Sequence, residues 1–221
     1  MVVIDSATPA ITAALAVLDP TVSTDPTVIA QRVVVDARAH GELLAPGIDA
    51  VLRETGHRPG DLSAIVAGVG PGPFTGLRVG LVTAAALADA LGVPAYGVVT
   101  LDALGRAAGA GRVLVATDAR RREVYWAVYD DGVRVAGPSV GKPAELPLPE
   151  GVRAAVGDGA LRYADVLGLP VRDEPRYPPA GALAALAAER VRDKAPGEAL
   201  TPLYLRRPDA VEPGARKAVL P

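Results

Sequence analysis

Residues 65–92 constrain what this chain can fold into more than any other stretch. IVAGV (65–69) is a short, mostly apolar run bounded by turn residues, the pattern of a buried strand. GPGP (70–73) follows, and its two Gly-Pro dipeptides end the strand and force a tight connection. Between Phe74 and Leu91 there is no proline. Leu77, Leu81, Ala84, Ala88 and Leu91 recur there at three- and four-residue steps, which predicts a helix. Gly92 and Pro94 close it, a glycine just past the last turn and a proline shortly after. Strand, glycine-rich elbow and apolar helix make an α/β unit. Gly76, Gly80 and Ala84 lie four apart on one helical face, so the spacing predicts either a tight core helix or close packing against another helix.

A glycine-rich elbow ahead of a helix is also a way of holding phosphate. The Walker pattern needs a lysine at its end, and here there is none; Pro71 and Pro73 each remove an N–H that a cradle would use. The elbow is therefore not expected to bind ATP phosphates. Metal chemistry has little to work with: His40 and His57 are the two histidines, far apart in sequence and without an HExxH arrangement. His40 is expected on the surface of its helix and His57 in the turn beyond it. Cysteine is absent, which excludes a disulfide framework and a thiolate nucleophile and fits a reducing compartment. No serine lies in a GxSxG elbow. No catalytic residue and no metal ligand are expected.

The net charge of −2 excludes a global basic field drawing the chain to nucleic acid. The densest positive spot is Arg120-Arg121-Arg122, which reads as a solvated hairpin tip or as a contact for RNA phosphates, a nucleotide or an acidic partner. The N-terminal residues lack the basic start of a signal peptide, and the apolar run at residues 77–88 is interrupted by Arg78 and Asp89 and too short to span a bilayer. A soluble, cytoplasmic protein is expected, with no membrane partner.

In chain order, residues 2–4, 11–18 and 28–35 read as strands. Residues 37–55 read as a helix with Leu43, Leu44, Ile48, Val51 and Leu52 on its apolar side and Pro46 in its middle. After the elbow unit come a strand at 96–99 and a helix at 101–108. The second half starts alike: a strand at 113–117 ends at Asp118 and another opens at Val124, as the first strand ends at Asp5 and the next opens at Ile11. A third strand is expected at Arg134-Val135, then a proline-punctuated surface segment at 142–149, a strand at 152–156, and helices at 160–167 and 180–191. TPLYLR (201–206) and a charged tail, read as mobile, complete the chain.

GPGPFTGLRVGLVTAAALADALGVPAYGVVTLDAL (70–104) resembles the signature segment of the TsaB family, with Pro73 and Thr100 where that family commonly has serine. DSAT (5–8) and the closing PLYLR (202–206) extend the resemblance to both ends. It implies an actin-like ATPase (ribonuclease H-like) fold of two α/β subdomains, each a mixed sheet flanked by helices, here at residues 1–105 and 106–221. It also implies a non-catalytic scaffold that binds the transferase TsaD in making threonylcarbamoyladenosine on tRNA, with the ATPase TsaE in the same system and a homodimer when TsaD is absent. The partner surface is then expected on the first-half helices, at His40, Leu44, Ile48, Leu52, Phe74, Gly76, Leu77, Gly80, Leu81 and Ala84. In active members of the superfamily an acidic turn from each half faces nucleotide, which points to Asp5, Ser6, Thr8 and Asp118 and to ATP or ADP with magnesium at the partner interface. The second turn reads DARRRE (118–123) where active members carry Asp-Gly-Gly, and the metal-binding HxxxH of TsaD-type subunits is missing. A stand-alone ATPase or glycoprotease-like peptidase is the alternative.

Overall fold

The computed structural model describes residues 1–19, 21 and 23–206, so the tail expected to be mobile lies outside the described residues. Two sheets organise the chain. The first has the order β3-β2-β1-β4-β5, built from β1 (Val2–Asp5), β2 (Ala10–Val17), β3 (Thr27–Val35), β4 (Ile65–Gly68) and β5 (Ala95–Val98). β1 pairs antiparallel with β2 and parallel with β4, and β4 pairs parallel with β5. The second has the order β8-β7-β6-β9, from β6 (Arg112–Asp118), β7 (Val124–Asp130), β8 (Val133–Gly141) and β9 (Ala154–Val156). There β6 again pairs antiparallel with the next strand and parallel with a later one. The hairpin-plus-parallel-strand plan therefore occurs twice, as the matching positions of Asp5 and Asp118 suggest.

Helices cover both faces of the first sheet. On one side lie α1 (His40–Glu54) and α2 (Phe74–Leu91), whose Leu44, Ile48, Leu77 and Ala84 meet Ile4, Ile11 and Ile65. Pro46 sits inside α1 without ending it. The other side is closed by α6 (Ala180–Arg192), whose alanines and Leu183 pack with Val3, Val66 and Tyr96. α6 follows the second sheet in the chain but packs on the first, so a division at residue 105 separates the sheets and not this helix. Its small side chains let the helix lie close to the strands.

α3 (Thr100–Ala107) joins the halves. Gly105 lies so close to the Tyr129 ring that a Cβ there would overlap it, and the Tyr129 hydroxyl donates to Asp102 at 2.7 Å. Behind the second sheet, α4 (Asp158–Arg162) and α5 (Ala164–Leu167) replace the single helix expected at 160–167. β8 is a nine-residue strand that runs through Pro138, longer than the two residues expected. It is an edge strand, where the missing proline N–H interrupts no ladder on the open side.

The C-terminal segment ties these parts together. Glu198 N–H donates to the Ala95 carbonyl at 2.9 Å and Leu203 N–H to the Val69 carbonyl at 2.8 Å. Arg206 then reaches the second half, donating to the Ala119 carbonyl at 2.8 Å and pairing with Glu123.

Candidate functional site

The loop after β1 is held from several directions. Ala7 N–H donates to Asp5 Oδ1 at 3.1 Å and the Thr100 hydroxyl to Asp5 Oδ2 at 2.7 Å, while that same hydroxyl accepts from Gly70 N–H at 3.1 Å. Asp5 is 1% exposed. Burial pushes its carboxyl up to about 6, against the pull of the Thr100 and Ala7 hydrogen bonds. Gly68 stands against it, and a Cβ there would overlap the carboxylate. Asp5 therefore knots the end of β1 to the start of α3.

Ser6 fastens the same loop to α2. Its hydroxyl donates to the Gly76 carbonyl at 2.8 Å and accepts from Gly80 N–H at 3.0 Å, the two groups of one helical step. A Cβ on Gly76 would stand 2.9 Å from the Ser6 carbonyl oxygen, and one on Gly80 would overlap the Ser6 hydroxyl. The four-residue glycine spacing thus admits a loop of the chain itself. Gly76, Leu77, Gly80, Leu81 and Ala84, expected to face a partner, are buried inside the chain.

The expected residues of α1 are turned the same way. Leu44, Ile48 and Leu52 are core residues. His40, expected on the surface, is buried, and its Nε2 lies 2.9 Å from the Thr8 carbonyl. A carbonyl only accepts, so Nε2 carries the proton. Thr8 in turn accepts from Ala10 N–H at 3.2 Å. His57 places Nδ1 3.0 Å from the Thr55 carbonyl.

Of the ten expected partner residues Phe74 alone is exposed, at 48%. It belongs to a different face of α2, with Arg78, Val82, Ala85, Ala86 and Ala90 outward. Val82 is 66% exposed. The Arg78 guanidinium lies 3.7 Å from the Phe74 ring centroid, and its Nε donates to the Tyr204 hydroxyl at 2.9 Å. The two rings are stacked at 5.4 Å. Among the described residues α2 is the one helix long and apolar enough to cross a membrane by length and composition alone, and only 28% of it is buried. Its inner face is locked into the core by Ser6, which leaves an outer face on a folded domain that is apolar apart from Thr75, Arg78 and Asp89.

The second acidic turn is built differently. Asp118 Oδ1 accepts from Arg120 N–H at 3.2 Å and Oδ2 pairs with Arg162 at 3.0 Å. Asp118 N–H donates to Asp158 Oδ1 at 3.3 Å. Burial raises the Asp158 carboxyl to about 6, opposed by the Asp118 N–H and reinforced by the Asp118 charge. Gly157 and Gly159 press on the β6 backbone, where a Cβ at either would overlap Ala116 or crowd Thr117. Arg120, Arg121 and Arg122 are exposed and carry φ of 63°, 53° and 62°. Three successive side-chain-bearing residues in the left-handed region cost about 1–2 kcal/mol each.

Between the two turns lies a cavity of about 240 Å³ lined by Ser6, Thr8, His40, Thr75, Asp118 and Arg120 among others. Asp5 does not line it. The cavity is smaller than the roughly 300–1,000 Å³ usual for small-molecule pockets. Asp5 is committed to Thr100 and Asp118 to Arg162, so these residues do not fit a magnesium–nucleotide. Among the described residues no three His, Asp or Glu side chains come together as a metal-holding group. A larger groove of about 1200 Å³ opens at the far end of the first sheet, lined by residues such as Leu15, His57, Tyr96 and Leu200. It forms where residues 195–200 cross the sheet, a contact that no local pattern in the sequence announces.

Residues 28–198 match the family model described as TsaD: tRNA N6-adenosine threonylcarbamoyltransferase. The uncharacterised protein Rv3421c of Mycobacterium tuberculosis is 49% identical over 208 residues, 94% of this chain and 92% of that one. The tRNA threonylcarbamoyladenosine biosynthesis protein TsaB of Escherichia coli is 42% identical over 96 residues, 42% of each chain. The solved structure of YeaZ from Pseudomonas aeruginosa superposes with a TM-score of 0.76 at 29% identity, covering 92% of this chain and 98% of that one. The chain belongs to this family, and within it to the TsaB (YeaZ) type of the actin-like ATPase superfamily.

Proposed function

We propose that this chain is a non-catalytic subunit in the synthesis of threonylcarbamoyladenosine in tRNA, and that it supports a TsaD-type transferase by binding it through the outer face of α2. The observation that carries the reading is the exposed apolar surface of that helix, Phe74, Val82, Ala85, Ala86 and Ala90, with the Phe74–Arg78–Tyr204 stack at one end. Small side chains let a partner helix approach closely, and aromatic and arginine anchors dominate protein interfaces. The names of the relatives supply the pathway. In the absence of the transferase the same face pairs with a second copy. TsaE and tRNA are met through the complex.

In this proposal catalysis is left to the transferase. Asp5, the carboxylate that would face nucleotide in an active member, is spent on Thr100 and Ala7. No step is therefore assigned to ATP or magnesium in this chain.

The test is gel filtration of the chain with the TsaD-type transferase of the same organism. Wild type should co-elute as a stable complex, whereas Val82→Glu/Ala86→Glu should remain apart with an unchanged circular dichroism spectrum. Co-elution of that variant as tightly as wild type would remove α2 from the interface. ATP or peptide turnover by the isolated chain would overturn the non-catalytic reading.

A further inference from the structure

The turn between β6 and β7 keeps three arginines where the backbone favours glycine or asparagine. Their side chains are exposed, so packing does not account for them. The turn is nevertheless held firmly. Ala119 N–H donates to the Glu123 carbonyl at 3.0 Å and Glu123 N–H to the Arg120 carbonyl at 2.9 Å. The chain's own terminus adds Arg206, on the Ala119 carbonyl and the Glu123 carboxylate.

The charges there do not cancel. Asp118 is matched by Arg162 and Glu123 by Arg206, so the two acids of the turn are already satisfied from outside it. Arg121 has a partner of its own. Arg120 and Arg122 add their charge to a neutralised base, held at the surface by a strained backbone. Strain retained at an exposed, charged turn points to a function for the side chains. The cavity beside Arg120 is small, so the fitting anion is one that lies across the surface, such as a polynucleotide backbone.

We propose that Arg120 and Arg122 contact tRNA phosphates when the chain is in its complex. This rests on the proposed role in tRNA modification. Guanidinium groups on a rigid turn suit phosphate oxygens, and each contact released with its counterions contributes to the salt dependence of binding.

The experiment is a titration of labelled tRNA with the chain–transferase complex from about 50 to 200 mM salt, after gel filtration has shown that the complex forms. Arg120→Asn/Arg122→Asn removes charge with a residue that tolerates the left-handed region. It should weaken binding roughly tenfold at the lowest salt and reduce the slope of log affinity against log salt by about 1.5 to 2. Arg120→Lys/Arg122→Lys should retain most of both. An Asn variant that joins the transferase and keeps wild-type affinity and slope would overturn the arginine contact and leave the partner role standing. An Asn variant that no longer joins the transferase would overturn it too, by making the turn a protein contact. If wild type does not join the transferase, the partner role fails; the same titration on the chain alone at about 50 mM salt then decides, and absence of an Asn effect overturns the proposal.

Discussion

The two acidic turns occupy matching places in the two sheets and meet opposite fates. The first, residues 5–8, is drawn into the core, where Asp5 is 1% exposed, Ser6 is inserted into a helical step of α2, and His40 caps the Thr8 carbonyl. The second, residues 118–123, buries Ala119 but carries its tip, Arg120 to Arg122, at the surface and relies on guanidinium groups brought from Arg162 and Arg206. One plan thus yields a buried knot where Gly76 and Gly80 admit the turn itself, and a polar, strained tip where Gly157 and Gly159 press on the end of β6 and leave the tip uncovered. Gly76 and Gly80 make the first possible; in the second, Arg120, Arg121 and Arg122 hold a left-handed backbone at the tip.

The sharpest way to break this contrast is to fill the space beneath the first turn. Gly80→Leu places side-chain atoms where the Ser6 hydroxyl lies, and should cost more than about 3 kcal/mol in chemical denaturation, or abolish folding. A Gly80→Leu protein of wild-type stability would show that the loop is not locked to α2.

Next in size is a dependence on pH. Asp5 and Asp158 have folded-state values near 6 against an ordinary 3.8. Between those values the native state binds protons that the unfolded chain releases, so their contribution favours folding at low pH and is lost as pH rises through about 6. A fully buried group shifted this far contributes on the order of 3 kcal/mol across that window. Denaturation midpoints for Asp5→Asn should show a shallower fall from pH 4 to 7 than wild type. An identical slope would mean that Asp5 does not titrate there.

The second turn should respond the other way. Arg122→Gly relieves a left-handed residue and should raise stability by about 1 kcal/mol in a thermal or denaturant scan. A loss of stability would show that the arginine is held for structural reasons. The smallest effect on folding belongs to the outer face of α2, where Val82→Glu should change stability by less than about 0.5 kcal/mol while abolishing partner capture. A large destabilisation would mean that Val82 packs inside the protein in solution.

Much of the architecture was legible beforehand because it is periodic. The span of α2 from Phe74 to Leu91 follows from an uninterrupted apolar repeat closed by Gly92, and the structure ends the helix there with Gly92 at φ 64°. β8 was underestimated because Pro138 reads as a strand breaker unless the strand is known to lie at an edge. The direction of α2 was harder. Gly76, Gly80 and Ala84 mark a face of close approach, yet the pattern does not say whether the approaching group is another molecule's helix or the chain's own Ser6. The same ambiguity misplaced His40, Leu44, Ile48 and Leu52.

Local periodicity, turn chemistry and a dense motif are enough to read the order of strands and helices, the repeated hairpin plan and the family. Which face of α2 is free, the bond between Asp5 and Thr100, and the bridging of both halves by residues 195–206 emerge only in the folded chain. Each depends on contacts between residues distant in the chain, such as Asp5 with Thr100 and Glu123 with Arg206, whose energies exist only once the sheets have brought them together.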